Sequence, residues 1–345
     1  SYFDALLKYT DLAADYSVLP YFFDVNSKLD FQLSHEHNVS LSALYSQEQM
    51  YGYFDRPNYT GNFSWKNKNT IVSARLRSIF DDFFLSDFIL SLSTAKSSTQ
   101  QPRNAIELYD IQELSVKQDF TVIVPANEFH IGGWLIVEQE DITIDLPREV
   151  ALNFDELQLR GKGKSVKPSM YIDDKWTVSS TLTAGLGVRY DYISKSNEST
   201  VSPRGNISYA WNDHMSLSLD YGWYFQSPRP FELDINNRLQ SRRAESYGIG
   251  IKHEVGDEIV VSLELYNKNL SRLIAIDSLW NLSNNGNGYS RGAEFYVQLK
   301  DPRGFFGWLS YTYSFSKRKE GSNNDLHYFD YDRPHLISLV ANYKF

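Results

Sequence analysis

The chain has 345 residues, no cysteine and a formal net charge of −9. The acidic balance speaks against nucleic acid, which needs a basic field, and the lack of cysteine excludes a disulfide framework or a Cys-ligated zinc site. No run approaches the ~18 apolar residues of a spanning helix; the longest candidate, Phe83 to Ala95, is broken by Ser86, Asp87, Ser91 and Ser93. Aromatic residues make up 15%, with 24 Tyr and 21 Phe, an excess that suits an apolar surface facing lipid with amphipathic rings at two water boundaries.

Residues 1–19 read as an outer loop in which Tyr2, Leu6 and Tyr9 form one short helical face. The start has neither an initiator Met nor a basic n-region, so the chain is expected to be processed or truncated. Period-2 alternation then runs through about fifteen segments. They fall at 18–34, 38–49, 68–80, 84–96, 106–123, 127–139, 167–178, 180–192, 203–212, 214–226, 242–254, 257–270, 288–300, 305–317 and 335–345. In 180–192, Leu182, Ala184, Leu186, Val188 and Tyr190 oppose Thr183, Gly185, Gly187, Arg189 and Asp191. In 214–226, Leu217, Leu219, Tyr221, Trp223 and Phe225 oppose Ser216, Ser218, Asp220, Gly222 and Tyr224.

Connections alternate strictly in length. Short ones sit at 35–37, 80–83, 125–126, 179–180, 212–213, 255–256 and 301–304. Long ones cover 50–67, 97–105, 141–166, 193–202, 227–241, 271–287 and 318–334. Short inner turns and long outer loops are the asymmetry of an outer-membrane barrel. The expected fold class is therefore all-β, a transmembrane antiparallel β-barrel, with residues 1–345 forming one partial barrel domain. An odd strand number with an outer start does not make a complete single-chain barrel, so an N-terminal part is expected to be missing.

Several phrases add a family resemblance. They are Tyr171-Ile172-Asp173-Asp174-Lys175-Trp176 with Gly187-Val188-Arg189-Tyr190-Asp191, then Val201-Ser202-Pro203-Arg204, Ser227-Pro228-Arg229-Pro230 with Glu232-Leu233, Gly288 to Glu294, and Tyr331-Asp332-Arg333-Pro334-His335. In this order the chain resembles the C-terminal barrel of TonB-dependent receptors, and upstream Ser1 to Leu7, Pro20 to Asp24 and Leu114 to Phe120 resemble receptors of the Bacteroidetes type. The resemblance implies a barrel of twenty-two strands around a plug domain, of which this chain would hold the last fifteen, with no plug and no TonB-box segment.

Site candidates follow from residue type. Tyr224, Arg229, Phe231, Arg238, Trp280 and Tyr328 are expected to contact ligand from outer loops and the upper lumen, because aromatics and Arg supply much of the energy at recognition surfaces. Ile337, Leu339, Tyr343 and Phe345, with Ala341, resemble the signal read by the barrel-assembly machinery. Trp176, Trp211 and Trp308 are expected in the inner aromatic belt, and Tyr190, Tyr192 and Phe225 in the outer one. Gly161-Lys162-Gly163-Lys164 reads as a flexible basic loop and Asn281 to Gly288 as a turn-rich one. No Gly-x-Ser-x-Gly elbow stands in the chain, and His35, His37, His327 and His335 lack the spacing of a strong metal motif. No enzyme, resident metal or cofactor is expected.

The expected function is energised uptake of a scarce, bulky nutrient (an iron chelate, a cobalamin-like cofactor or an oligosaccharide) in the bacterial outer membrane. Expected partners are outer-membrane lipid and lipopolysaccharide, the barrel-assembly machinery, and a TonB-type coupling protein acting through the missing segment. A passive channel or a surface-displayed adhesive barrel are the alternatives.

Overall fold

The computed structural model describes residues 18–56, 59–147, 157–276, 281–301, 303–320 and 325–344. Nearly all of them belong to one antiparallel sheet whose strands neighbour one another in chain order. The strands are β1 (Val18–Gln32), β2 (His37–Arg56), β3 (Tyr59–Asp81), β4 (Phe84–Gln101), β5 (Ala105–Val124), β6 (Asn127–Leu146), β7 (Leu157–Thr177) and β8 (Leu182–Ile193). They continue as β9 (Glu198–Asn212), β10 (Met215–Gln226), β11 (Arg242–Val255), β12 (Ile259–Ile276), β13 (Leu282–Lys300) and β14 (Phe305–Lys319). A two-residue β15 (His327–Tyr328) and the last strand β16 (His335–Tyr343) both pair with β14. A six-residue helix α1 (Pro230–Ile235) lies between β10 and β11.

Cross-strand partners share a face, so the register tracks each face across the wall. One row runs through Leu219, Ile249, Leu265, Ala293 and Tyr313; its neighbour, one residue along, runs through Ser218, Gly250, Glu264, Glu294 and Thr312. The apolar face is bare: Leu186 is 69% and Leu339 71% exposed. Among the described residues buried apolar side chains are few, and Ile142, Ile193, Leu233, Leu239 and Leu282 all sit at the long-loop end. In water such a surface would forfeit roughly 25 cal/mol per Å² of apolar area. Lipid removes that cost, so the apolar face is the membrane side and the polar face lines the lumen.

Polar residues close the short turns by accepting otherwise idle backbone N–H groups. Ser34 Oγ accepts from Glu36 and His37 at 3.2 and 3.1 Å, Ser179 Oγ from Leu182 at 3.1 Å, Asn212 Oδ1 from His214 at 2.9 Å, and Asp301 Oδ1 from Arg303 at 2.8 Å. Gly304, at φ 106°, completes the last of these turns in a conformation that other residues rarely adopt.

All fifteen expected strands are present, and β15 is an additional short strand inside the last outer loop. Several outer loops are shorter than expected. β2 and β3 continue through 50–56 and 59–67, β6 and β7 take up both ends of 141–166, and β12 and β13 take up most of 271–287. Gly161 to Lys164 therefore lies in β7, and Leu282 to Gly288 in β13, rather than in loops. Above the bilayer both faces meet water, so pairing continues after the apolar alternation has stopped. β3 illustrates this: its 23 residues climb about 55 Å at ~2.5 Å each, twice the height of a ~25 Å apolar band.

Trp176 and Trp211 stand on the membrane side, but Trp308 does not. It pairs with Gln298 and Val340 on the lumen face and packs on Tyr296 at 6.2 Å between ring centroids. The helical face expected at Tyr2, Leu6 and Tyr9 lies outside the described residues, as does Phe345.

Candidate functional site

The middle of the lumen wall is a lattice of paired charges. Arg75 and Arg77 both donate to Asp87, at 2.7 and 3.1 Å. Arg204 donates to Asp173, with Nε at 2.7 Å, and Tyr171 donates to Asp119. Bidentate Arg–carboxylate pairs of this kind fix geometry across strands. A recess of about 370 Å³ opens beside them, lined by His130, Asp173, Arg204, Asn206, Asp220 and Tyr224.

Above it, the chain between β10 and β11 turns into the lumen instead of away from the cell. Pro228 and Pro230 are fully buried. Arg229 is extended, and Pro230 follows at the first helical position, where its missing N–H costs nothing. Glu232 then accepts the Arg229 N–H at 2.7 Å and an Arg242 guanidinium N–H at 2.8 Å. The result is one helical turn, α1, held at its start by its own third residue.

The seat for α1 is made by absent side chains. Lumen-facing Gly161 and Gly163 lie under Phe231 and Pro230, and a Cβ on Gly163 would come within 2.6 Å of the Pro230 ring. Glu140, opposite Gly163 on β6 and 1% exposed, is the anchor. Its carboxylate accepts from Arg229 Nε and from the Phe231 N–H, each at 3.2 Å. The Arg229 guanidinium also lies 4.6 Å from the Phe231 ring centroid and 5.6 Å from that of Tyr109. Leu233 and Leu239 pack with Ile193, Leu282 and Ile274 into a small apolar cluster. Further ties come from Lys195 to Asp234, from Ser241 N–H to Glu198 at 2.8 Å, and from Asn236 to the Leu282 carbonyl at 2.8 Å. Residues 227–241 thus form a strap over the upper lumen, bound to β6, β7, β9 and β13.

The expected ligand contacts separate on this geometry. Tyr224 is exposed on the lumen face, where it lines the recess, three residues before the strap begins. Phe231 belongs to the strap beside Arg229, whose side chain is 41% exposed and engaged by Glu140. Arg238 stands exposed at the strap's outer bend, where its N–H bonds Asn236 Oδ1 at 3.0 Å. Tyr328 is elsewhere: it pairs with Lys317 on the membrane-side face, with the Lys317 ammonium 4.4 Å from its ring centroid. Trp280 lies outside the described residues. Glu140, Tyr109, Gly161 and Gly163 were not among the expected residues. The available signal was the Gly-x-Gly spacing, which keeps the period of a strand and leaves one face empty.

Ile337, Leu339 and Tyr343 stand side by side on the membrane face of β16, all exposed.

Comparison with known proteins agrees with this architecture. The profile of the TonB dependent receptor-like β-barrel family matches residues 2–345. No curated protein sequence matches significantly. Among solved structures, the outer-membrane transporter YddB of Escherichia coli superposes with a TM-score of 0.72 at 12% identity, over 95% of this chain and 55% of that one. The siderophore receptor PiuA of Acinetobacter baumannii gives 0.71 at 10%, over 91% and 60%. FpvA of P. aeruginosa, solved bound to pyoverdines, gives 0.74 at 15%, over 95% and 53%. At these identities the likeness is one of fold, and the chain spans a little over half the length of each structure. The chain belongs to the TonB-dependent receptor-like β-barrel family, and its apolar-out, polar-in sheet is the wall of a bacterial outer-membrane barrel.

Proposed function

We propose that this chain is the major part of the barrel of an energised outer-membrane receptor, and that the strap at 227–241 is a fixed element of its ligand vestibule. The strap carries the reading. A loop that only covered the rim would have no use for a buried carboxylate and a glycine seat inside the lumen, whereas a recognition surface gains affinity from being pre-ordered. Tyr224, Phe231 and Arg238 offer aromatic faces and a cation around its exposed side, chemistry suited to an anionic chelate with aromatic groups. Among the ligand classes expected from the sequence, an iron chelate is the first choice. PiuA is a siderophore receptor and FpvA is solved with pyoverdines, which favours that class without naming a compound. Energy coupling would act through a plug and a TonB-type protein.

The test is uptake by cells whose only copy is the full-length protein. Labelled ferric catecholate and ferric hydroxamate, cobalamin and a neutral oligosaccharide are offered with and without a proton uncoupler. Uncoupler-sensitive uptake of a ferric chelate supports the proposal. Uncoupler-insensitive leakage of all small solutes would make the protein a passive channel. Surface binding with no uptake defect on deletion would make it an adhesive barrel.

A further inference from the structure

The membrane-side face of β3–β6 changes character in steps. One row holds Val72, Leu92, Leu114 and Val137, the next Thr70, Thr94, Gln112 and Gln139, and the next Lys68, Lys96, Asp110 and Asp141. Thr70 stands about 27 Å above the short-turn end of β3 at ~2.5 Å per residue, the height of the apolar band. Lys68 and Lys96, and Lys66 two residues further along β3, therefore lie where hydrocarbon gives way to headgroups.

The arrangement is unfavourable as it stands. Lys68 and Lys96 are direct cross-strand partners, and like charges placed opposite one another destabilise a sheet. Acids relieve only part of this: Asp110 takes Lys96 at 2.7 Å and Asp141 takes Lys162 at 3.0 Å. Among the described residues Lys66 and Lys68 form no ion pair. The three lysines line a hollow of about 480 Å³ with Ser98, Asp110, Asp141 and Thr143. Within it the second carboxylate oxygen of Asp110, Oδ1, is buried and accepts no hydrogen bond.

We infer that this hollow binds the phosphorylated sugar headgroup of an outer-leaflet glycolipid. Lys66, Lys68 and Lys96 meet a phosphate with charge-assisted hydrogen bonds, which are stronger than neutral ones. Asp110 Oδ1 accepts from a sugar hydroxyl or amide on the same headgroup, a donor that bare phosphate lacks. An acyl chain descending from the headgroup passes Thr70 and Thr94 and runs over Val72 and Leu92, which are 51% and 56% exposed two rows below. The site looks radially outward at the membrane boundary, where lipid is the neighbour. At about the same height β14 carries Lys317 on its membrane-side face.

The test is native mass spectrometry of the full-length protein in detergent, with four probes: bis-phosphorylated lipid A, the same lipid after phosphatase treatment, phosphatidylglycerol, and inorganic phosphate. Wild type is expected to retain lipid A in preference to all three others. The K66Q/K68Q variant, which loses two of the three charge-assisted bonds, is expected to retain it at least about tenfold less, and K66R/K68R to restore it. Heat-modifiable mobility on gels confirms that each variant is a folded barrel. Equal retention by wild type and K66Q/K68Q, or no dependence on the lipid's phosphates, overturns the inference. Binding of inorganic phosphate as tight as that of lipid A overturns the lipid assignment, and a lysine-dependent protein partner with no lipid retained would do the same.

Discussion

Replacing Glu140 with Ala should release the strap without unfolding the barrel. Glu140 is 1% exposed and holds the strap by two bonds at 3.2 Å. The bond from the Phe231 N–H to a buried carboxylate contributes about 1.5–3 kcal/mol. The ion pair with Arg229 adds less than about 1 kcal/mol, because that side chain is 41% exposed and screened by water. A loss of about 3 kcal/mol raises the population of open strap roughly a hundredfold, at about 1.4 kcal/mol per tenfold. The assay is amide hydrogen exchange on the full-length protein, read over peptides covering 227–241 and compared with β10 and β11. Exchange in the strap should accelerate by about two orders of magnitude while both strands keep their protection. Glu140→Gln, which still accepts from Phe231, should fall in between. Unchanged strap exchange in Glu140→Ala would refute the anchoring argument, and equal acceleration through β6 would show that Glu140 supports the sheet instead.

Three other outcomes follow from the same geometry. Gly163→Val should open the strap as Glu140→Ala does, since its Cβ would lie 2.6 Å from Pro230, whereas Gly133→Ala meets only ordinary van der Waals space at 3.6 Å and should be silent in the same exchange assay. Leu219→Arg or Leu186→Arg should destabilise the inserted barrel by about 2–4 kcal/mol in urea refolding titrations if these face mid-bilayer lipid, and Ser218→Arg or Thr183→Arg on the lumen side should be tolerated; equal costs would sink the face assignment. In the last short turn, the Arg303 side chain and then its backbone N–H hold the Asp301 carboxyl down at about 2. Because the folded value is depressed, the turn's contribution is complete above the ordinary carboxylate range near 4 and is lost only as pH falls through about 2. Carboxyl-carbon NMR should find Asp301 titrating near 2 and, in Arg303→Ala, returning toward the ordinary range.

Membrane-spanning parts of the fold were legible because one solvent writes them. Lipid on one side and water on the other force strict alternation, as in Leu217, Leu219 and Tyr221 against Ser216, Ser218 and Asp220. Above the bilayer that constraint ends. Lys66, Lys68, Lys162 and Lys164 occupy the outward positions of β3 and β7, so the pattern no longer separates strand from loop although the pairing persists. Nearness to a short turn suggests a belt position for Trp308, but its parity, one residue before outward-facing Leu309, sets it on the lumen face. The strap was out of reach for another reason. It depends on Glu140, about ninety residues away in the chain, meeting Arg229 and Phe231, and nothing local to 227–241 announces that partner. Tyr328 went to the membrane side because β15 adds to the edge of β14, a pairing two residues long.

A strap that faces the cell exterior and borders the ligand vestibule leaves Arg238 open to reagents outside the cell. The chain has no cysteine of its own, so Arg238→Cys in a full-length protein freed of any other cysteine gives a single reporter. Intact cells are treated with a membrane-impermeant maleimide, with and without the ferric chelate that the uptake assay identifies. Rapid labelling that the chelate slows is the predicted result. Labelling that requires permeabilised cells, or that proceeds at the same rate with the chelate bound, would contradict the account.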